Sequence, residues 1–456
     1  MLPAYSAPAR QDQAHRMTRQ LILHIGLSKT GSSSIQRVLA GQRDALAAQG
    51  VFYPRTPGWE NHQLLPASIV SDPNALCDVH PGTWEGMKPE ARLALFREQF
   101  ANEMNNLTAD ITRCVISAEQ CGALLNVDAD VVRLHDLLRR WFDPIRVVVY
   151  LRRQDKHAAS AYTQNLRVGS LAPPALPAGG PEKLIQYDYG GLLDRWARAF
   201  GDAAMVTRIF ERADLTGGDA VRDFLNIAGI SLPALDDNPD RLANPSITRA
   251  GQELLRRVGR IYEAQGGDRP WRDSPAWRRF TACVTEAMPG SGWTPTRAEA
   301  TAFMARFAAT NEHARARFFP DRPTLFPENY SDLPESQPEL SGDDVTAAAL
   351  AGLMHEVTAG AKRQAEAAMA QFRLHRRLGE KGPVRSNLIR AVRFDPDLLA
   401  ARLSLAEFFI EEGDLRQARE HAEAALRIAP NNPKAARLDR MARGERPGAG
   451  AKAQVA

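Results

Sequence analysis

The stretch that most constrains this chain is 21–36, L-I-L-H-I-G-L-S-K-T-G-S-S-S-I-Q. It opens with the apolar run 21–25, which reads as a buried strand. The run breaks at Gly26 and Gly31, passes Ser32, Ser33 and Ser34, and enters a helical pattern with Ile35, Val38 and Leu39. Strand, glycine-bracketed loop, helix is the layout of a phosphate cradle. The glycines let backbone approach an anion, and the first helical turn offers unpaired N–H groups at a positive dipole end. The plainer alternative is a helix start after a buried strand, with Lys29 in solvent.

Further along, apolar runs at 51–54, 112–117, 145–151 and 203–210 alternate with helical patterns at 34–49, 88–108, 129–141, 187–200 and 220–227. This alternation predicts an α/β fold, a parallel sheet flanked by helices. The run I-R-V-V-V-Y-L at 145–151 is rich in β-branched residues, as expected of a strand buried on both faces. Ligands in such sheets lie beyond the carboxyl ends of the strands. Glu119 stands there after the second long run and Arg152 after the third. His62 opens a helical segment shortly after the cradle and is a candidate general base, set against a capping or surface histidine. The Pro/Gly/Ala stretch 170–183 predicts a loop of the lid or substrate kind.

A kinase-type P-loop places Lys then Ser/Thr directly after its second glycine. Here Ser32 takes that place and Lys29 precedes Gly31, which sets aside a kinase or NTPase reading. Lys29-Thr30-Gly31-Ser32 instead resembles the 5′-phosphosulfate loop of sulfotransferases that use 3′-phosphoadenosine 5′-phosphosulfate (PAPS). Arg152, followed eight residues later by Ser160, resembles the 3′-phosphate element of the same family. The strings H-I-G-L-S-K-T-G-S-S-S-I-Q and L-R-R-Q-D-K-H-A-A-S-A-Y-T-Q-N-L-R-V-G resemble a bacterial group within it, over roughly residues 20–330.

The resemblance implies a sulfotransferase-like P-loop sheet with PAPS as co-substrate. Lys29, Thr30, Gly31, Ser32 and Ser33 would hold its 5′ end, and Arg152 and Ser160 its 3′-phosphate. Lys29 would neutralise the leaving group, and His62, then Glu119, would serve as base. No metal is implied, because Lys29 and Arg152 fill the cation roles. The acceptor would be a hydroxyl or amine, with a carbohydrate or glycoconjugate first by family analogy.

Net charge is only +4 across 456 residues, which does not suggest a nucleic-acid partner. The four cysteines, Cys77, Cys114, Cys121 and Cys283, show neither CxxC pairing nor zinc spacing, and read as reduced residues of a cytoplasmic protein. No run approaches transmembrane length. The end of the chain repeats every 34 residues, pairing Gly379 with Gly413, Ala391 with Ala425 and Pro396 with Pro430, a pattern similar to tetratricopeptide repeats. These repeats could dock a protein partner or simply brace the fold. A non-catalytic scaffold acting through them is the competing reading of the whole chain. The expected organisation is a disordered tail at 1–19, the α/β domain at 20–335, a linker and helix at 336–364, the repeats at 365–442 and a disordered tail at 443–456.

Overall fold

The structure is a computed structural model that describes residues 19–71, 87–232, 246–265, 272 and 274–445. Both tail readings fall almost wholly outside these residues, as does Cys77. The chain divides into two compact units, Met1–Asp273 with Gly290–Leu340, and Ser274–Pro289 with Ser341–Ala456.

The first unit is built on five strands, β1 (Arg19–His24), β2 (Val51–Phe52), β3 (Arg113–Ser117), β4 (Phe142–Leu151) and β5 (Met205–Ile209). They run parallel in the order β2-β3-β1-β4-β5. β1 is central: Leu21 sits opposite Cys114 and Ile145, and His24 opposite Ser117 and Val148. Its alternating side chains enter two cores. Leu21 and Leu23 join Ile116, Val147 and Val149 on one face. Ile22 joins Ile35, Leu39, Val115 and Phe224 on the other. Burial on both faces is why this strand reads as unbroken apolar sequence, each full side chain contributing roughly 1.5–3 kcal/mol.

Where the strands end, two glycines set the geometry. Gly26 lies at φ 96°, and a Cβ there would stand 2.9 Å from the Glu119 backbone. The loop after β1 and the turn after β3 are therefore in backbone contact, which only glycine permits. Gly31 lies at φ 84° and acts as N-cap of the helix Ser32–Gly41. Ser32 and Ser33, expected in the loop, thus join Ser34 in the first helical turn. The single helix expected at 34–49 is two, Ser32–Gly41 and Arg43–Ala47, parted at Gln42.

The second unit is all helical among the described residues: Pro275–Ala287, Gly342–Leu378, Lys381–Phe394, Leu399–Glu411, Leu415–Ile428 and Pro433–Ala442. Gly379 and Gly413, the glycines 34 residues apart, each follow a helix end at positive φ, 76° and 80°. Phe372, Leu388, Ala391, Leu405, Phe409 and Ala418 form its core, the alanines allowing close helix approach. No described helix is long and apolar enough to cross a membrane.

Three histidines of the first unit, His24, His62 and His157, are buried, and burial lowers each pKa from 6.5 to about 3. Between those values the unfolded chain binds protons that the native state refuses. Stability is therefore complete above about pH 6.5 and falls as pH drops toward 3, by on the order of 4 kcal/mol per histidine at the lower limit. Thermal melts across pH 4 to 8 should show the midpoint falling steadily below pH 6.5; a flat profile down to pH 4 would contradict this burial.

Candidate active site

The carboxyl ends of β1, β3, β4 and β5 open onto one cavity of about 520 Å³. Its lining includes Ser28, Lys29, Gly31, Ser32, Ser33 and Ser34 from the loop and first helical turn, Glu119 after β3, Arg152 after β4, Ser160 on the next helix and Phe210 after β5. Residues more than a hundred positions apart thus share one wall, as the strand-end rule for parallel sheets requires.

The loop is held by its own hydroxyls. Thr30 Oγ1 and Ser32 Oγ both donate to the Leu27 carbonyl, at 2.6 and 2.8 Å. Thr30 is fully buried and Ser32 nearly so. Their side chains shape the cradle, and Ser28, Ser33 and Ser34 present the cavity's other loop hydroxyls. No side chain caps the helix Ser32–Gly41, so its first N–H groups are left for another acceptor. Lys29 sits at φ 64°, a left-handed conformation that a non-glycine residue adopts at some cost. Arg152 Nη1 donates to the Lys29 carbonyl at 2.8 Å, tying the end of β4 to this strained residue.

The charges are unbalanced. Burial lowers the Lys29 pKa, the charges of Arg167 and Arg152 lower it further, and Glu119 opposes them. Burial likewise lowers the Arg152 pKa. Among the described residues neither cation has a carboxylate within ion-pair distance. Two partly desolvated cations without a counter-ion favour an anionic ligand. Glu119 is the nearby carboxylate. Burial raises its pKa, while the neighbouring Ser32 and the Lys29 charge pull the other way. A carboxylate so shifted is a stronger base than one in water.

His62 is not brought to the cavity. It is fully buried and stacked on Tyr53, with ring centroids 4.2 Å apart. Its Nε2 donates to the Pro54 carbonyl at 3.0 Å, and its Nδ1 accepts the Ser117 N–H at 3.1 Å. Both nitrogens are committed to backbone, so the ring pins the β2 turn to β3 and has no lone pair for a substrate. The expectation that it acts as base is corrected here: a histidine near a cradle in sequence can turn its ring inward. His62→Ala removes the ring and strands the Pro54 and Ser117 groups. It should cost about 3 kcal/mol of stability, read by urea unfolding, with ligand affinity in the cavity nearly unchanged.

The sequence reading missed Ser28, Ser34, Gln164, Asn165, Phe210 and Asp219, all of which line the cavity. Phe210 was findable, since it closes the fourth long apolar run. Asp219 is N-cap of the helix Ala220–Ala228 and accepts the Arg222 N–H, so its part is local. Among the described residues no three His, Cys, Asp or Glu side chains gather as metal ligands.

No family model matches the chain. An uncharacterized protein of Archaeoglobus fulgidus is 30% identical over 127 residues, 28% of this chain and 33% of that protein, so the match spans a third of the relative's length. Among solved structures, the crystal structure of a sulfotransferase from Alicyclobacillus acidocaldarius aligns with 66% of this chain and 96% of its own. The identity is 16% and the TM-score 0.33, a likeness too loose to carry an argument.

Proposed function

We propose that this protein transfers a sulfuryl group from PAPS to a hydroxyl or amine acceptor, a carbohydrate or glycoconjugate being the acceptor class in view. The observation that supports the reading is the shared cavity. It joins Lys29 and an uncapped helix start to Arg152 and Ser160, two cations that, among the described residues, form no ion pair with a carboxylate. Two cations lining one cavity suit a ligand that carries more than one anionic group. In this proposal Lys29 and the N–H groups after Gly31 bind the 5′ end, and Arg152 and Ser160 bind the 3′-phosphate, the guanidinium matching phosphate oxygens bidentately. Thr30 contributes backbone rather than hydroxyl, because its side chain is spent on Leu27.

When bound, the nucleotide supplies an activated sulfuryl group whose bridging oxygen leaves with negative charge. Lys29 neutralises that charge, a preorganised electrostatic effect in a partly dry site. Glu119, lining the same cavity with a raised pKa, takes the acceptor's proton. The C-terminal helices are proposed as a docking or bracing module of tetratricopeptide type.

Calorimetry without added metal tests the reading. The desulfated product 3′-phosphoadenosine 5′-phosphate should bind in the micromolar range or tighter, and AMP, which lacks the 3′-phosphate, at least tenfold more weakly. Equal affinity for the two, or binding of ATP only with Mg²⁺, would overturn it.

A further inference from the structure

Beside the cavity lies a histidine that the reading above does not use. His157 stands on the helix Gln154–Arg167, three residues before Ser160, and is nearly fully buried. Its Nε2 lies 3.2 Å from the Oγ of Ser28, an exposed loop residue that lines the cavity. Its Nδ1 lies 3.4 Å from the Tyr189 hydroxyl. The Tyr189 O–H donates to the Arg152 carbonyl at 2.6 Å, so its one proton is taken. Towards His157 the Tyr189 oxygen can only accept. Nδ1 therefore carries the imidazole proton and Nε2 the lone pair, which the Ser28 O–H meets. Ser28 then turns lone pairs, and no proton, toward the cavity. An oxygen that only accepts repels an anion and suits a group bearing a proton, such as an acceptor's O–H or N–H.

We propose that Ser28 and His157 form a proton-accepting pair for the acceptor, an alternative to Glu119 for the same proton. The acceptor hydroxyl hydrogen-bonds to Ser28 Oγ. As its oxygen bonds to sulfur, its proton passes to Ser28 while the Ser28 proton passes to His157 Nε2. The broken S–O bond leaves its electron pair on the nucleotide phosphate. This rests on the sulfuryl-transfer reading.

Burial, and after it the charges of Arg152 and Lys29, disfavour the imidazolium of His157; the Tyr189 hydroxyl stands 3.4 Å from the ring and the Tyr187 ring packs edge-on at 5.1 Å. An anion on Lys29 and Arg152 offsets the two charges, so the pair gains basicity when the donor is bound.

The first test needs no acceptor. Ser28→Cys places a thiol against His157, and alkylation by iodoacetamide reads its thiolate, with labelling of the wild type subtracted. The introduced thiol should label at least tenfold faster at pH 7 in S28C than in S28C/H157Q. The second uses water as acceptor. Ser28→Ala and His157→Gln should each slow sulfate release from PAPS at least tenfold, with affinity for 3′-phosphoadenosine 5′-phosphate kept within threefold. Ser28 is exposed, so S28A guards against misfolding as the cause. Equal labelling of the introduced thiol with and without His157 overturns the pair, as does unchanged sulfate release in S28A. If the wild type binds no nucleotide, the transferase reading fails separately, and the labelling contrast still reports on the pair.

Discussion

Arg152→Ala should weaken binding of 3′-phosphoadenosine 5′-phosphate by about 100-fold and leave AMP affinity within a few-fold. A charge-assisted bond from a partly buried guanidinium contributes roughly 1.5–3 kcal/mol, or about ten- to 100-fold in affinity. The upper end applies because, among the described residues, no carboxylate lies within ion-pair distance of Arg152, Glu211 and Asp155 acting on it only from further away. Its guanidinium also lies over the Phe210 ring at 5.6 Å and holds the Lys29 carbonyl, so the variant must be shown to melt as the wild type does. Arg152→Lys keeps the charge and loses the fork, and should recover about a tenth of the lost affinity. If R152A loses AMP and the bisphosphate alike, Arg152 shapes the loop and does not recognise a 3′-phosphate.

Lys29→Met should lower the rate of sulfate release from PAPS by on the order of 10²–10³, with product affinity falling less than tenfold. Methionine keeps the apolar stem and removes the charge. The larger effect on rate follows from where charge develops. In the proposed reaction Lys29 would meet a bridging oxygen that gains negative charge as it leaves, so its contribution would grow along the reaction. The depressed Lys29 pKa adds a check. Burial and the neighbouring Arg167 and Arg152 lower it in the free protein, so its deprotonation should set an alkaline limb for nucleotide binding below the range of an ordinary lysine. Binding is full below that limb and weakens, by less than tenfold, as pH rises through it. A K29M enzyme that keeps its rate within threefold would remove Lys29 from the chemistry.

Much of this was legible in the chain itself. β1, β3 and β4 are buried on both faces toward their carboxyl ends, so each carries a largely apolar run that marks the strand, although β4 starts three residues before the run at 145–151. The cradle was legible because glycines, lysine and serines adjacent in sequence stay adjacent in space. Arg152 followed from its place at a strand end, whereas Ser160 came from the resemblance to the sulfotransferase 3′-phosphate element. Element boundaries were less exact where a single backbone angle decides them. Gly31 at φ 84° starts the first helix two residues sooner than the apolar periodicity indicates.

Side-chain direction was decided elsewhere. His62 and His157 are both histidines near a strand end, yet one caps backbone at Pro54 and Ser117 and the other touches an exposed loop serine. Nothing local distinguishes them. The difference lies in partners 55 and 129 residues away, brought into register by the sheet. The same holds for Ser32, whose hydroxyl turns back to Leu27 while the Ser33 side chain stays exposed. By itself the sequence determined the strands, their parallel class and the cationic cradle, because these rest on burial and on neighbours in the chain. Only the tertiary structure decided which titratable groups meet the cavity, because long-range strand register and backbone hydrogen bonds decide whether a ring nitrogen or a hydroxyl is free.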